Sequence, residues 1–175
     1  MKLFSENIED LRTLYIADLR KALDMEQKIT KALPTMIEKS TDIQLATAFR
    51  NHLTETEGHV AKVESLLRAA TGEASTSTCK VISTLITSAE DSIKDAGDPG
   101  IRDITLIASA QQVEHHEIAV YGTLRTWAEL LGEDAAAETL EGILEEEKNA
   151  DELLSTISDS VNTTAETTSA YATKA

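Results

Sequence analysis

Apolar side chains return every three or four positions through four long stretches of this chain, the spacing of a helix that buries one face. Leu19, Ala22, Ile29, Leu33 and Met36 form one stripe, and Leu45, Phe49, Val63 and Leu66 a second. Ile107, Ala110, Leu124, Ala128 and Leu131 form a third, and Ala137, Leu140, Leu144, Leu154 and Val161 a fourth. A shorter segment, residues 79–95, places Ile82, Leu85, Ile86, Ala89 and Ile93 at the same spacing.

Punctuation between the stripes sets the boundaries. Ser5 is the expected cap of the first helix, and Pro34 is expected to kink or interrupt it. Thr41 and Gln44 have capping-box spacing and open a second helix that runs to about Ala70 and stops at Gly72. The short helix ends at Gly97. In the GDPG that follows, Asp98 is placed to cap, and Pro99 to begin, a long helix over Ile101–Leu131 that Gly132 closes. The last helix covers roughly residues 134–158. Residues 1–160 then form the bundle, and the Thr- and Ser-rich residues 161–175 read as a disordered tail or a short helix. Tight turns make neighbouring helices antiparallel, whereas a middle connection of about thirty residues can run the length of a bundle. The expected architecture is all-α: an up-down four-helix bundle with one long crossover that carries a short extra helix.

Composition narrows the function. Gly and Pro number 7 and 2 in 175 residues, in keeping with few breaks. A net charge of −15 lacks the basic footprint that nucleic-acid phosphates require and disfavours an anionic membrane surface. No apolar stretch approaches the ~20 residues of a membrane span, and the acidic start MKLFSENIEDL is not expected to be a signal peptide. A single cysteine, Cys79, fits a reducing cytoplasm, and nothing beside it in TSTCKV supplies a base for a thiol nucleophile.

The chemistry lies inside the stripes. Glu26 stands between Ala22 and Ile29; Glu114, Glu117 and Tyr121 fill the third stripe, and Glu147 and Asp151 the fourth. His52, Thr56 and His59 interrupt the second, with Glu55 at its edge. Every long helix therefore brings acid to its apolar face near mid-length, and one adds histidine. An unpaired buried carboxylate costs several kcal/mol, and Lys and Arg seldom occur in these seams. Two divalent cations would offset the charge. Oxygen-rich ligation with a little imidazole suits iron first, then manganese, with zinc also open.

The segments MEQKITKALP, AFRNHLTETEGHVAKVE, DITLIASAQQVEHHEIAVYGTL and LEEEKNADELL resemble, in order and spacing, the YciE/YciF family of bacterial ferritin-like stress proteins from Glu9 to about Ile157. The resemblance implies a ferritin-like fold and a di-metal centre, whose substrates, if it is redox-active, would be oxygen, peroxide or ferrous iron, with a homodimer by analogy. The ferritin-like pattern expects Glu-x-x-His on the second and fourth long helices. This chain offers Glu55-x-x-x-His59 and Glu147-x-x-x-Asp151, both of which still keep a helical face.

The expected ligand set is Glu26, Glu55, His59, Glu114, Glu117, Glu147 and Asp151. His52 reads as a structural histidine, and Tyr121 as a buried tyrosine within reach of a ligand carboxylate. His115 and His116 point off the stripe; His116 shares a face with Val113, Val120 and Trp127, which suggests another surface or a dimer contact. The rival reading is a metal-free structural or interaction bundle with protonated acids. Sugar cleavage by a carboxylate pair is disfavoured, because the one Trp lies away from the acids.

Overall fold

In the computed structural model, which describes residues 8–172 and side chains as far as residue 166, the chain forms five helices. They are α1 (Leu11–Lys39), α2 (Ile43–Thr71), α3 (Lys80–Asp95), α4 (Pro99–Leu130) and α5 (Asp134–Ala172). α1 packs along α2 and α4 along α5. Contacts of α1 with α4 and of α2 with α5 close the bundle, while α3 lies on α4 and α1.

Contacts at the ends fix the directions. Arg102, near the start of α4, donates to the Lys39 carbonyl at the end of α1, and Arg12 at the start of α1 pairs with Glu133 beyond α4 at 2.6 Å. Each packed pair of long helices is thus antiparallel, and the crossover between α2 and α4 must travel the bundle's length. It is pinned to α1 on the way: Ser77 N–H donates to the Arg20 carbonyl at 3.1 Å, and Cys79 N–H to the Asp24 carboxylate at 2.7 Å. The core is one continuous cluster that includes Leu19, Phe49, Val63, Leu106, Leu124 and Leu140.

Local chemistry explains the ends. Gly72 and Gly132 adopt φ of 85° and 73°, the left-handed conformation that terminates a helix without Cβ strain. Asp98 caps α4 through Gly100 and Ile101 N–H, with Pro99 at the first turn. Other boundaries differ from the expectation. Ser5 lies outside the described residues, and the cap of α1 is Asp10, which forms a reciprocal box with Thr13. Pro34 does not interrupt α1, because its ring sits on the exposed face while Leu33, Met36 and Ile37 continue the apolar side. α2 is capped by Asp42, whose carboxylate accepts from Leu45 N–H at 2.9 Å.

Thr41 serves a different purpose. Its N–H and hydroxyl, together with Asp42 N–H, all donate to Asp103, an α4 carboxylate only 3 % exposed. α5 extends well beyond residue 158, since Ile157, Val161 and Ala165 prolong its buried stripe and Ala165 approaches Gly100 of α4.

Removing the buried Asp103 carboxylate takes the charged acceptor from three donors of the partly exposed α1–α2 turn. Asp103→Ala is expected to lower stability by about 2–3 kcal/mol, read as the denaturant midpoint; a loss below about 0.5 kcal/mol, the size of an ordinary surface substitution, contradicts this role.

Candidate metal centre

Each long helix delivers its charged side chains to the same depth. On α2, positions 45, 49, 52, 56, 59 and 63 follow alternating steps of four and three, so His52, Thr56 and His59 occupy the inward face. The Thr56 hydroxyl is satisfied within its own helix, donating to the His52 carbonyl at 2.7 Å. Glu26 comes from α1, Glu114 and Glu117 lie one turn apart on α4, and Glu147 comes from α5. Glu26, His59, Glu117 and Glu147 are fully buried, Glu114 is 3 % and His52 6 % exposed.

These six side chains form two overlapping groups, each with donor atoms within 4.8 Å of one another. One is His52, Glu114, Glu117 and Glu147; the other is Glu26, His59 and Glu147. Glu147 belongs to both. Its Oε1 lies 3.0 Å from His59 Nδ1 and its Oε2 4.0 Å from His52 Nε2, so its two oxygens face different histidines. His52 Nε2 is 3.3 Å from Glu114 Oε1, and His59 Nδ1 is 3.7 Å from Glu26 Oε2. The two histidines are seven residues apart, about 10 Å along the helix axis, and each serves its own group.

Neighbouring side chains orient the donors. Glu146 Oε2 meets His59 Nε2 at 2.6 Å and accepts from Lys62 at 2.7 Å. That contact claims Nε2 and turns Nδ1 toward Glu26 and Glu147, the arrangement that fixes a ligand imidazole. The Tyr121 hydroxyl donates to Glu26 Oε1, leaving Oε2 toward the group. Glu55 lies behind His52, with its carboxylate 3.7 Å from Nδ1.

Burial pushes the Glu26 and Glu117 carboxyls up, Glu117 strongly, with Glu147 adding to both. Burial outweighs the pull of His52 to raise Glu114 to about 8. Burial alone would depress the histidines, but Glu55, Glu114 and Glu147 raise His52 to about 9, and Glu147 with Glu26 raise His59 to about 10. Burial likewise lifts the Tyr121 phenol far above its ordinary range, with Glu26 reinforcing it. Half-exposed Glu146 is held below the usual carboxylate range because Lys62 and His59 outweigh its partial burial.

Hydrogen bonding leaves the centre incomplete. Glu26 Oε2, His59 Nδ1, both ring nitrogens of His52, Glu114 Oε2 and all four oxygens of Glu117 and Glu147 are buried without a well-formed hydrogen bond. Buried polar atoms ordinarily have a partner. Four carboxylates and two neutral imidazoles balance two divalent cations in charge, and the overlapping groups supply a donor set for each. The residues fit a pair of metal ions.

Of the expected set, Glu26, His59, Glu114, Glu117 and Glu147 come together. Glu55 does not: it is rotated about 100° from Thr56 and exposed, and His52 takes the inward position instead. The 52-56-59 spacing was the signal for His52. Asp151 also falls outside both groups. It lies a turn beyond Glu147, half-buried, with its oxygens toward Gln111 at 3.5 Å and His115 at 3.4 Å. His116 faces the crossover, its Nε2 3.7 Å from Cys79 Sγ, so a base near that thiol comes from tertiary structure and not from TSTCKV.

Comparison with known proteins agrees with the fold. Residues 10–167 match the family described as a domain of unknown function, DUF892. Protein YciF of Escherichia coli (strain K12) is 35 % identical over 146 residues, spanning 83 % of this chain and 88 % of that protein. Among solved structures, YcfI from Rhodopseudomonas palustris superimposes with a TM-score of 0.85 at 38 % identity, covering 88 % of this chain and 98 % of that one. The E. coli stress protein YciF superimposes with a TM-score of 0.84 at 33 % identity, covering 89 % and 98 %.

A raised pKa stabilises the fold fully below the unfolded value and ceases to do so as pH climbs through the folded one. For Glu114 that window runs from 4.5 to about 8, for His52 from 6.5 to about 9, and for His59 from 6.5 to about 10. Chelator-treated protein is therefore expected to lose Tm steadily from about pH 5 to pH 9, less steeply in Glu114→Gln. A metal-free Tm that rises across this interval contradicts the assignment.

Proposed function

The chain belongs to the DUF892 family of YciF-like proteins, and from that premise we propose that its acidic core is a carboxylate centre for two divalent metal ions, iron foremost, with manganese or zinc as alternatives. His52, Glu114, Glu117 and Glu147 would hold one ion and Glu26, His59 and Glu147 the other, with Glu147 between them. One observation carries this reading: buried carboxylate and imidazole atoms crowd together at a single depth without well-formed hydrogen bonds. A solvated acidic face would not bury them, and a paired structural core would satisfy them.

A redox-active pair of ions, when bound, would supply electron transfer to oxygen or peroxide, or from ferrous iron. The chain's own part is to set that chemistry up. Glu146 and Lys62 orient His59, Tyr121 orients Glu26, and apolar layers that include Phe49, Leu106 and Leu144 flank the donors. A role in stress is extended to this chain from the E. coli relative described as a stress protein.

Metal content measured by mass spectrometry, after purification without chelator and supply of Fe(II) or Mn(II), is expected to be two ions per chain. Glu147→Ala should lose both, and His52→Ala and Glu26→Ala should each weaken one, by about 10- to 100-fold in affinity. Glu55→Ala and Asp151→Ala should retain both. Wild-type protein that stays empty under this supply would leave a metal-free structural bundle as the reading.

A further inference from the structure

A cavity of about 330 Å³ lies beneath α3, in the seam between α1 and α4. Ile29, Met36, Phe49, Ile86, Ile93 and Val113 form its walls, while His52 and Glu114 of the metal centre are also exposed to it. Ile82 is the sole fully buried residue of α3, so this helix roofs the space without filling it. The opposite seam, between α2 and α5, has a separate opening of about 150 Å³ that also reaches His52 and Glu114. Its rim carries Asn51, Glu55, Glu146 and Asn149, so small polar species have their own approach. The apolar cavity is not needed for ions or water, and its lining suits neither.

We infer that the cavity binds a small aliphatic molecule with one anionic oxygen head, carboxylate-like, seated with the head toward His52 and Glu114 and the chain along the apolar walls. The volume lies within the range of small-molecule sites, and the pattern of an apolar lining with a few convergent polar groups is that of such sites. His52 and Glu114 are at least nine-tenths buried and present unpartnered atoms. Of the two lysines in the lining, Lys28 is already engaged by Asp24 and Ser83, and Lys31 is exposed at the mouth, away from the buried floor. The orientation of the head rests on the two-ion reading, because an empty acidic floor repels an anion; the aliphatic site itself does not.

Calorimetry with octanoate, octanol and acetate separates the possibilities. In iron- or manganese-loaded protein, octanoate is expected to bind about tenfold or more tightly than acetate, since the chain buries apolar surface. Chelation should weaken octanoate by about tenfold or more and leave octanol unchanged. Ala89→Trp, which fills the cavity from α3, should abolish binding of both while retaining the metal content and Tm of the parent; Ala32→Trp, on α1, repeats the test should the first variant misfold. Absence of octanol and octanoate binding in both forms overturns the site, as does binding that survives both tryptophans. Octanoate binding equally with and without metal overturns the orientation, placing the head at the mouth. Metal content is measured separately, so octanol binding to a protein that takes up no ion would sink the two-ion reading and leave the aliphatic site standing.

Discussion

Mutual repulsion among four carboxylates in the middle of the bundle, where burial penalises each negative charge, is the constraint the rest of the fold must satisfy. Glu26, Glu114, Glu117 and Glu147 come from three helices, and separating those helices would relieve both repulsion and desolvation. What opposes separation is the apolar packing on either side of the acidic layer, from Leu33, Leu106 and Phe49 at one end to Leu19, Leu124, Leu140 and Val63 at the other. The central layer thus depends on the stability of its flanks and on counter-charge at its centre, which the two histidines begin to supply and a pair of cations, as proposed, would complete.

The surroundings of the acids are polarised in one direction. Lys62 and Glu146 at the surface lead inward to His59, and Tyr121 approaches Glu26 from within the core. Each contact occupies one atom of a donor and leaves its second atom, His59 Nδ1 or Glu26 Oε2, toward the cluster. A core acid retained merely by chance would lack such consistent orientation. The same polarity distinguishes Glu55, which supports His52 from outside, from the six residues that meet at the centre.

Position along the bundle axis is set at its ends. Asp103 gathers three donors from the α1–α2 turn, Arg102 reaches the end of α1, and Arg12 pairs with Glu133 across the far end. A shift of one residue, about 1.5 Å along a helix axis, would carry Glu147 away from one of its two histidines. Asp24 meanwhile fixes the start of α3, which roofs the seam where the apolar cavity reaches the centre.

The sequence by itself determined the helical class, the four long helices and the acids on their inner faces, because apolar spacing and capping are local and survive without tertiary contacts. It also put Glu26, Glu114, Glu117 and Glu147 in clear apolar stripes and His59 in the less regular second one, and showed the family likeness of the segments that carry them. Tertiary structure alone showed that His52, which the 52-56-59 spacing already put on the inward face, meets the acids of the neighbouring helices and that Glu55 does not. It likewise excluded Asp151 from the groups, brought His116 to Cys79, and carried α5 through the Thr-rich end, where Val161 and Ala165 find a surface to cover. These outcomes depend on which side chains meet across helices distant in the chain. That pairing is a property of packing, to which local periodicity is blind.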